Sequence, residues 1–346
     1  MPPEWRLNIV QSRKEVAQVS PVQSLLDLAG AYAAPRCLHV VADLGVADVL
    51  DEIPLTAAEL AKAVTADADA LGRVLRVLVG HGIFANQGEA FTHTPASRLL
   101  RTDHPHSMRS FAQMFGLRPF WDSQGALMQS VRTGRMAARD ILPEGFYGYL
   151  AADPQASAIF NSAMSAKAHG QVAGILSAYD FTVYKTIGDI GGGHGHLLKA
   201  ILKTVPNAHG VLFDLPRVIA ESRLPPSMER LRLQPGDIFK DALPACECYI
   251  VMEVIHAFGD ADALKILQAI RHAAQMKATL LVIEQMIPEN SEPHWTKTLD
   301  VHMLALLGGR QRTRWEYEKL LNRAGFALRR EIDTAAGIAI LESVVI

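Results

Sequence analysis

Four glycines fall within five positions at Gly191, Gly192, Gly193 and Gly195, directly after the run TIGDI that ends at Ile190. A backbone stripped of side chains at a strand end lets a ligand approach main-chain N–H groups closely. The spacing departs from the dinucleotide fingerprint, which wants glycine or alanine where this chain has His196. Asp189 is more telling, because a carboxylate just ahead of the loop repels a pyrophosphate and attracts an ammonium or sulfonium. Asp214 ends the next apolar run, 19 positions beyond Gly195, where it can accept hydrogen bonds from both hydroxyls of a ribose. A nucleoside with a cationic, phosphate-free tail is S-adenosyl-L-methionine, and its chemistry is methyl donation. The competing reading is a tight strand-to-helix turn with no ligand.

Methyl transfer to a phenol needs a proton acceptor, since a neutral phenol with a pKa near ~10 is a poor nucleophile at pH 7. His256 closes the apolar run CYIVMEVI and is the candidate base; such help is typically worth ~10²–10⁴ in rate. Its alternative is a satisfied structural histidine. His194 and His196 read as solvated loop residues, and His104 and His106 as exposed. No group of acids and amides has the composition of a magnesium site, so no metal is expected.

The elements that must position these residues alternate from residue 185 onward. Strand TIGDI, helix GHLLKAILKTV, strand GVLFDL, helix PRVIAES, strands RLRLQPGDI and CYIVMEVI, helix ADALKILQAIRHAAQM, strand ATLLVIEQMI and helix TRWEYEKLLNRA lead to FALRREIDTAAGIAILESVV, two strands joined by a turn. Repeated strand-helix units predict an α/β, Rossmann-like, doubly wound sheet of seven strands closed by a C-terminal antiparallel hairpin, over residues 180–346. Ligands of such sheets bind at the carboxyl ends of the strands. Residues 107–179 read as helical, with a long helix opened by Asp153-Pro154 whose apolar stripe is chiefly core; Phe160 and Met164 on it are candidates to roof a ligand pocket.

Residues 20–106 read as a mainly α winged-helix domain: helices, a capping box at Thr56 and Glu59, and two short strands around a turn at Gln87-Gly88. Its charge argues against DNA. Over residues 20–110 seven Lys and Arg face ten Asp and Glu, whereas a DNA reader shows a basic footprint. The first two helices are too apolar for one small domain to cover, which predicts a dimerisation module. Residues 1–19 read as an arm. The chain of 346 residues is 49% hydrophobic and 20% charged with net charge -2, ample for two cores and without attraction for nucleic acid or anionic membranes. Cys37, Cys246 and Cys248 form no disulfide framework, and no stretch has signal-peptide or membrane-spanning character, so a cytoplasmic protein is expected.

The segments DIGGGHGHLL, VLFDLPRVI, PGDIF, CYIVMEVIHAFGDADALKIL, LLVIEQMIP and LDVHMLALLGGRQRT resemble the successive motifs of the S-adenosylmethionine-dependent O-methyltransferases of plant and bacterial secondary metabolism. The likeness covers nearly the whole chain, because that family carries an N-terminal winged-helix dimerisation domain and works as a homodimer. It implies an aromatic or polyketide-like small-molecule acceptor. It implies that Gly191 and Gly193 line the methionine part, Asp214 with Leu215 holds the ribose, Asp237 with Ile238 flanks the adenine, and Met252 lies close to the sulfonium. Glu284 would orient the His256 imidazole, and Met303, Leu306 and Leu307 would lie beside the acceptor opposite Phe160 and Met164, with Trp121 and Phe146 completing the pocket. Two departures stand out: Ala257 replaces an aspartate, and Gln311 replaces a second glutamate. They raise an alternative, a methyltransferase-like enzyme that uses the bound donor's charge for a pericyclic or hydroxylation step.

Overall fold

The computed structural model describes residues 20–222 and 229–346; the expected N-terminal arm lies outside them. Strands β1 (Leu55–Thr56), β2 (Phe84–Gln87) and β3 (Ala90–His93) make a small antiparallel sheet in the order β1-β3-β2. It packs with the helices Ala33–Leu44, Ala57–Val64 and Ala68–Gly80 around Leu50, Leu60, Leu75 and Phe84. The capping box forms as expected: the Glu59 N–H donates to Thr56 Oγ1 at 3.3 Å, and the Thr56 N–H to Glu59 Oε2 at 2.8 Å. The hairpin turn sits one residue later than the sequence suggested. Gln87 pairs with Ala90, so the loop residues are Gly88 and Glu89, and the positive φ of 61° falls on Gly88 at the first loop position. Strand β1, two residues long, was not anticipated; pairing with β3 creates it.

Strands β4 (Thr186–Ile190), β5 (His209–Asp214), β6 (Leu231–Pro235), β7 (Cys248–Met252), β8 (Thr279–Glu284), β9 (Phe326–Asp333) and β10 (Ala339–Val345) form the seven-stranded sheet in the order β6-β5-β4-β7-β8-β10-β9. All pairings are parallel except those of β10, which runs antiparallel to β8 and β9. Central strands read as continuous apolar runs because both faces are covered: Tyr249, Val251, Leu280 and Val282 pack on one side, Ile187, Ile250, Leu281 and Ile283 on the other. Strand order reverses between β4 and β7, so the glycine loop after β4 and the Met252–His256 segment after β7 flank the crevice where such sheets hold ligands.

The long helix Pro154–Ala178 runs over this end of the sheet. Asp153 caps it, accepting the Ala156 N–H at 2.9 Å, and Pro154 fits its first turn. Among the described residues no helix is long and apolar enough to cross a membrane, and no group of His, Cys, Asp and Glu has the arrangement of a metal site. The three cysteines are free.

Candidate active site

Two positions of the glycine loop require glycine outright. Gly191 has φ 71° and its N–H donates to Phe213 O at 2.8 Å, while an added Cβ would meet Val254 Cγ2 at 2.9 Å. A Cβ on Gly192 would meet the Asp189 carboxyl at 2.4 Å. The loop therefore folds back on Asp189, which is 2% exposed and has Oδ1 without a hydrogen-bond partner among the described residues. Burial, then the charge of Asp214, pushes its carboxyl up to about 7. A bound cation is what such a group lacks, so the residues present fit a donor with an ammonium or sulfonium centre.

Asp214 is itself part of the loop's scaffold. Its Oδ2 accepts the Gly193 N–H at 2.8 Å and Oδ1 the Leu215 N–H at 2.7 Å. A carboxylate has about four acceptor positions, which leaves capacity for a diol. Asp237 follows β6, and its carboxylate is held below the usual range by Lys240 and the Phe239 N–H. Ile238 packs on the sheet core beside it, and Met252 ends β7 half-buried. His194 and His196 are half-buried rather than solvated, with His196 Nε2 3.5 Å from Ser165 Oγ of the long helix. That packing of the helix over the loop is invisible in the local sequence.

His256 lies in a short 3₁₀ turn, Ile255–Ala257. Its Nδ1 is 2.9 Å from Gln311 Nε2 and 3.3 Å from Glu284 Oε2, and its backbone N–H donates to Glu284 Oε1 at 3.2 Å. The Gln311 amide donates to Nδ1, while among the described residues Glu284 Oε2 lies near Nδ1 without a hydrogen bond and Gln311 Oε1 is also unpartnered; turning the amide brings Oε1 to an Nδ1–H and leaves Nε2 as proton acceptor. Burial pushes the imidazole down to about 4, and burial followed by the nearby Glu253 charge pushes Glu284 up to about 8. Arg312, 1% exposed, braces the turn: its guanidinium donates to Ile255 O, Phe258 O and Asp260 Oδ1 at 3.2, 3.0 and 2.8 Å.

Sequence reasoning missed a neighbouring group. Glu253 has a left-handed φ of 51°, and its Oε1 accepts from Lys167 Nζ at 2.5 Å and from Gln285 Nε2 at 2.9 Å. A charge inside an apolar strand end was the available signal for Glu253; Lys167, 86 positions away, had none. On the other side, Phe160, Met164, Leu306 and Leu307 join one apolar cluster with Phe120 and Phe146, and Phe146 and Phe160 stack edge to face at 5.3 Å. Met303 is buried one turn before Leu307. Trp121 does not join it but packs on His39 and under Arg36, because its helix turns that face to the N-terminal helices.

A seven-stranded doubly wound sheet, with a glycine loop and two carboxylates at its switch point and an imidazole at the end of β7, is the architecture of the S-adenosylmethionine-dependent methyltransferases. A family model of the O-methyltransferase domain matches residues 125–327 and one of the O-methyltransferase dimerisation domain residues 26–103. The chain belongs to this O-methyltransferase family and is an S-adenosylmethionine-dependent O-methyltransferase, rather than a family member turned to non-methylating chemistry. It is 36% identical over 324 residues to the phenazine O-methyltransferase PhzM of Lysobacter antibioticus, covering 92% of this chain and 95% of that one. The crystal structure of CalO1, a methyltransferase of calicheamicin biosynthesis bound to S-adenosylhomocysteine, superposes with TM-score 0.84 at 31% identity, over 94% of this chain and 99% of that one. That of NcsB1, an O-methyltransferase of neocarzinostatin biosynthesis with S-adenosyl-L-homocysteine and 1,4-dihydroxy-2-naphthoic acid, gives 0.78 at 31%, over 93% and 98%.

Proposed function

We propose that this enzyme methylates a hydroxyl of an aromatic or polyketide-like small molecule in secondary metabolism, as a cytoplasmic homodimer, with His256 as general base. The observation that supports the reading is a buried imidazole with Nδ1 2.9 Å from Gln311 and 3.3 Å from Glu284, in a turn whose Val254 abuts Gly191 of the glycine loop. The aromatic ligand of NcsB1 and the phenazine named for the Lysobacter enzyme support a flat acceptor. Gly191 and Gly193 line the methionine moiety and Asp189 balances its positive charge. Asp214 and Leu215 hold the ribose, Asp237 and Ile238 flank the adenine, and Met252 lies near the sulfonium. Met303, Leu306, Leu307, Phe160 and Met164 enclose the acceptor.

His256 is neutral at pH 7 and ready to take the acceptor's proton at Nε2. The acceptor oxygen forms its bond to the methyl carbon in line with the breaking C–S bond, whose electron pair stays on sulfur. In this reading residues 20–106 dimerise, residues 107–179 roof the acceptor and residues 180–346 hold the donor. Incubation with S-adenosylmethionine and a panel of hydroxynaphthoates and hydroxyphenazines should yield S-adenosylhomocysteine and an O-methyl product. His256→Ala should lower kcat by ~10²–10⁴ with donor affinity nearly unchanged. Undiminished turnover in that variant would remove His256 from the chemistry.

A further inference from the structure

A base that titrates at about 4 meets a chemical difficulty. It must take a proton from a group that holds it far more tightly, and the imidazolium formed is buried, with a side chain 13% exposed. Two neighbours of the ring carry no charge: Ala257, next in the chain, and Gln311, whose Nε2 is 2.9 Å from Nδ1. Glu284 sits at Nδ1, yet burial keeps its carboxyl largely protonated at pH 7. The charged and titratable groups around the ring are Glu284 from β8, Arg312 from the loop beyond the helix Trp295–Leu306, Lys167 from the long helix and Glu253 three residues ahead of the ring. Tyr317, buried on the helix Arg314–Ala324, faces Glu284 and Arg312. Arg312 is already paired with Asp260.

Glu253 is the ionised carboxylate of this group. Its side chain is 15% exposed, and ammonium and amide donors clamp one oxygen. A non-glycine residue held at positive φ is strained and persists only where its surroundings over-determine it. Here the surroundings are Lys167 and Gln285, which come from two different elements. Resting on the O-methyltransferase reading above, we propose that Glu253 is the counter-charge for His256: the Lys167–Glu253–Gln285 cluster fixes a carboxylate beside the ring to stabilise the imidazolium made during proton transfer. Glu253 then acts through His256 as a positioning residue and touches neither substrate.

Opposite perturbations of the ion pair test this. Glu253→Gln keeps shape and removes the negative charge, leaving Lys167 to repel the imidazolium; Lys167→Met leaves the negative charge unopposed. Histidine-selective NMR of the intact enzyme, with the His256 signal assigned by its loss in His256→Asn, reads the ring's titration without any substrate. Lys167→Met should move that titration, and the acid limb of the kcat profile, up by roughly one pH unit. Glu253→Gln should move both down and lower kcat at pH 7 by roughly ten-fold, with the KM for S-adenosylmethionine little changed. The double variant Lys167→Met/Glu253→Gln should return the titration close to the parent's. Displacements in the same direction, or none, would overturn the assignment, because a purely structural clamp predicts lost stability in both variants without opposed shifts. Opposed NMR shifts in a protein that methylates no hydroxyarene would instead sink the functional reading and leave the counter-charge standing.

Discussion

Replacing Asp189 by asparagine tests the cationic-donor reading most directly, because the structure sets the size of two separate effects. In the ligand-free fold the Asp189 carboxyl is pushed to about 7 from an ordinary 3.8. Between those values the folded state binds more protons than the unfolded chain, so stability falls as pH rises from about 4 to about 7. The total is about 4 kcal/mol at ~1.4 kcal/mol per unit. Asp189→Asn removes that cost and should make the free protein more stable by up to about 4 kcal/mol above pH 7, in urea titrations. Donor binding should show the converse. A cation about 4 Å from the carboxylate, at an effective dielectric constant of about 20, contributes about 4 kcal/mol and pulls the group down by roughly 3 units. At pH 7 the half-protonated carboxyl should then ionise and release about half a proton per site. Calorimetry in phosphate and in Tris resolves this as the slope of observed enthalpy against buffer ionisation enthalpy. The slope should shrink in Asp189→Asn, along with at least ten-fold of the affinity; Glu284, also protonated at neutral pH, would contribute equally in both proteins. Equal slopes and equal affinities in the two proteins would refute the reasoning.

Three further outcomes follow from single features. Gly191→Ala combines a φ of 71° with a Cβ 2.9 Å from Val254 Cγ2, and should raise the donor Kd by at least roughly ten-fold and cost about 1–3 kcal/mol in urea unfolding. The helix Pro21–Gly30 buries none of its residues, with Leu25 and Leu28 70% and 76% exposed; Leu25→Glu/Leu28→Glu should convert a dimer to monomers in light scattering. Arg312→Met strips the His256 turn of donors to two carbonyls and leaves Asp260 with Arg310 alone; it should cost about 2–4 kcal/mol in urea unfolding and lower kcat more than donor affinity.

The sheet was legible because its chemistry is local. Buried parallel strands must be apolar throughout, and the helices around them announce their starts in the chain, as at Asp153-Pro154 or Thr313 with Glu316. Asp214 and His256 were legible for the same reason, each ending an apolar run, and Asp189 sits one residue before the end of its own; topology brings those ends together, whereas Glu284 came only through the resemblance. What failed depended on which layer a helix faces. Trp121 and Phe120 are adjacent on one helix, yet only Phe120 faces the apolar cluster while Trp121 meets His39. Helical periodicity gives a stripe but not its partner. Lys167 was unreadable on similar grounds, since a lone lysine on a helix is ordinarily solvated and its ion pair spans two elements.

On the proposed reading, that long helix ties the glycine loop and the apolar cluster into a fixed relation. Its first turns pack Ile159, Phe160 and Met164 into the apolar cluster. Its middle sets Ser165 on His196 beside the glycine loop and Lys167 on Glu253 beside the base. Its last turns bury Ile175 in the sheet core, and Gly174 lies so close to the β9–β10 loop that a Cβ there would meet Ala336 Cβ at 2.9 Å. A rod fastened at three levels cannot slide one turn without breaking all of them. In-line transfer requires reacting atoms held about 3–3.5 Å apart, and the ion pair lies midway along the helix that, on the proposed reading, spans donor cradle and acceptor roof. The contact proposed to hold charge beside His256 is therefore one of several that fasten this helix, and because the apolar contacts at both ends remain when it is removed, loss of the Lys167–Glu253 pair should change the charge at His256 without shifting the helix.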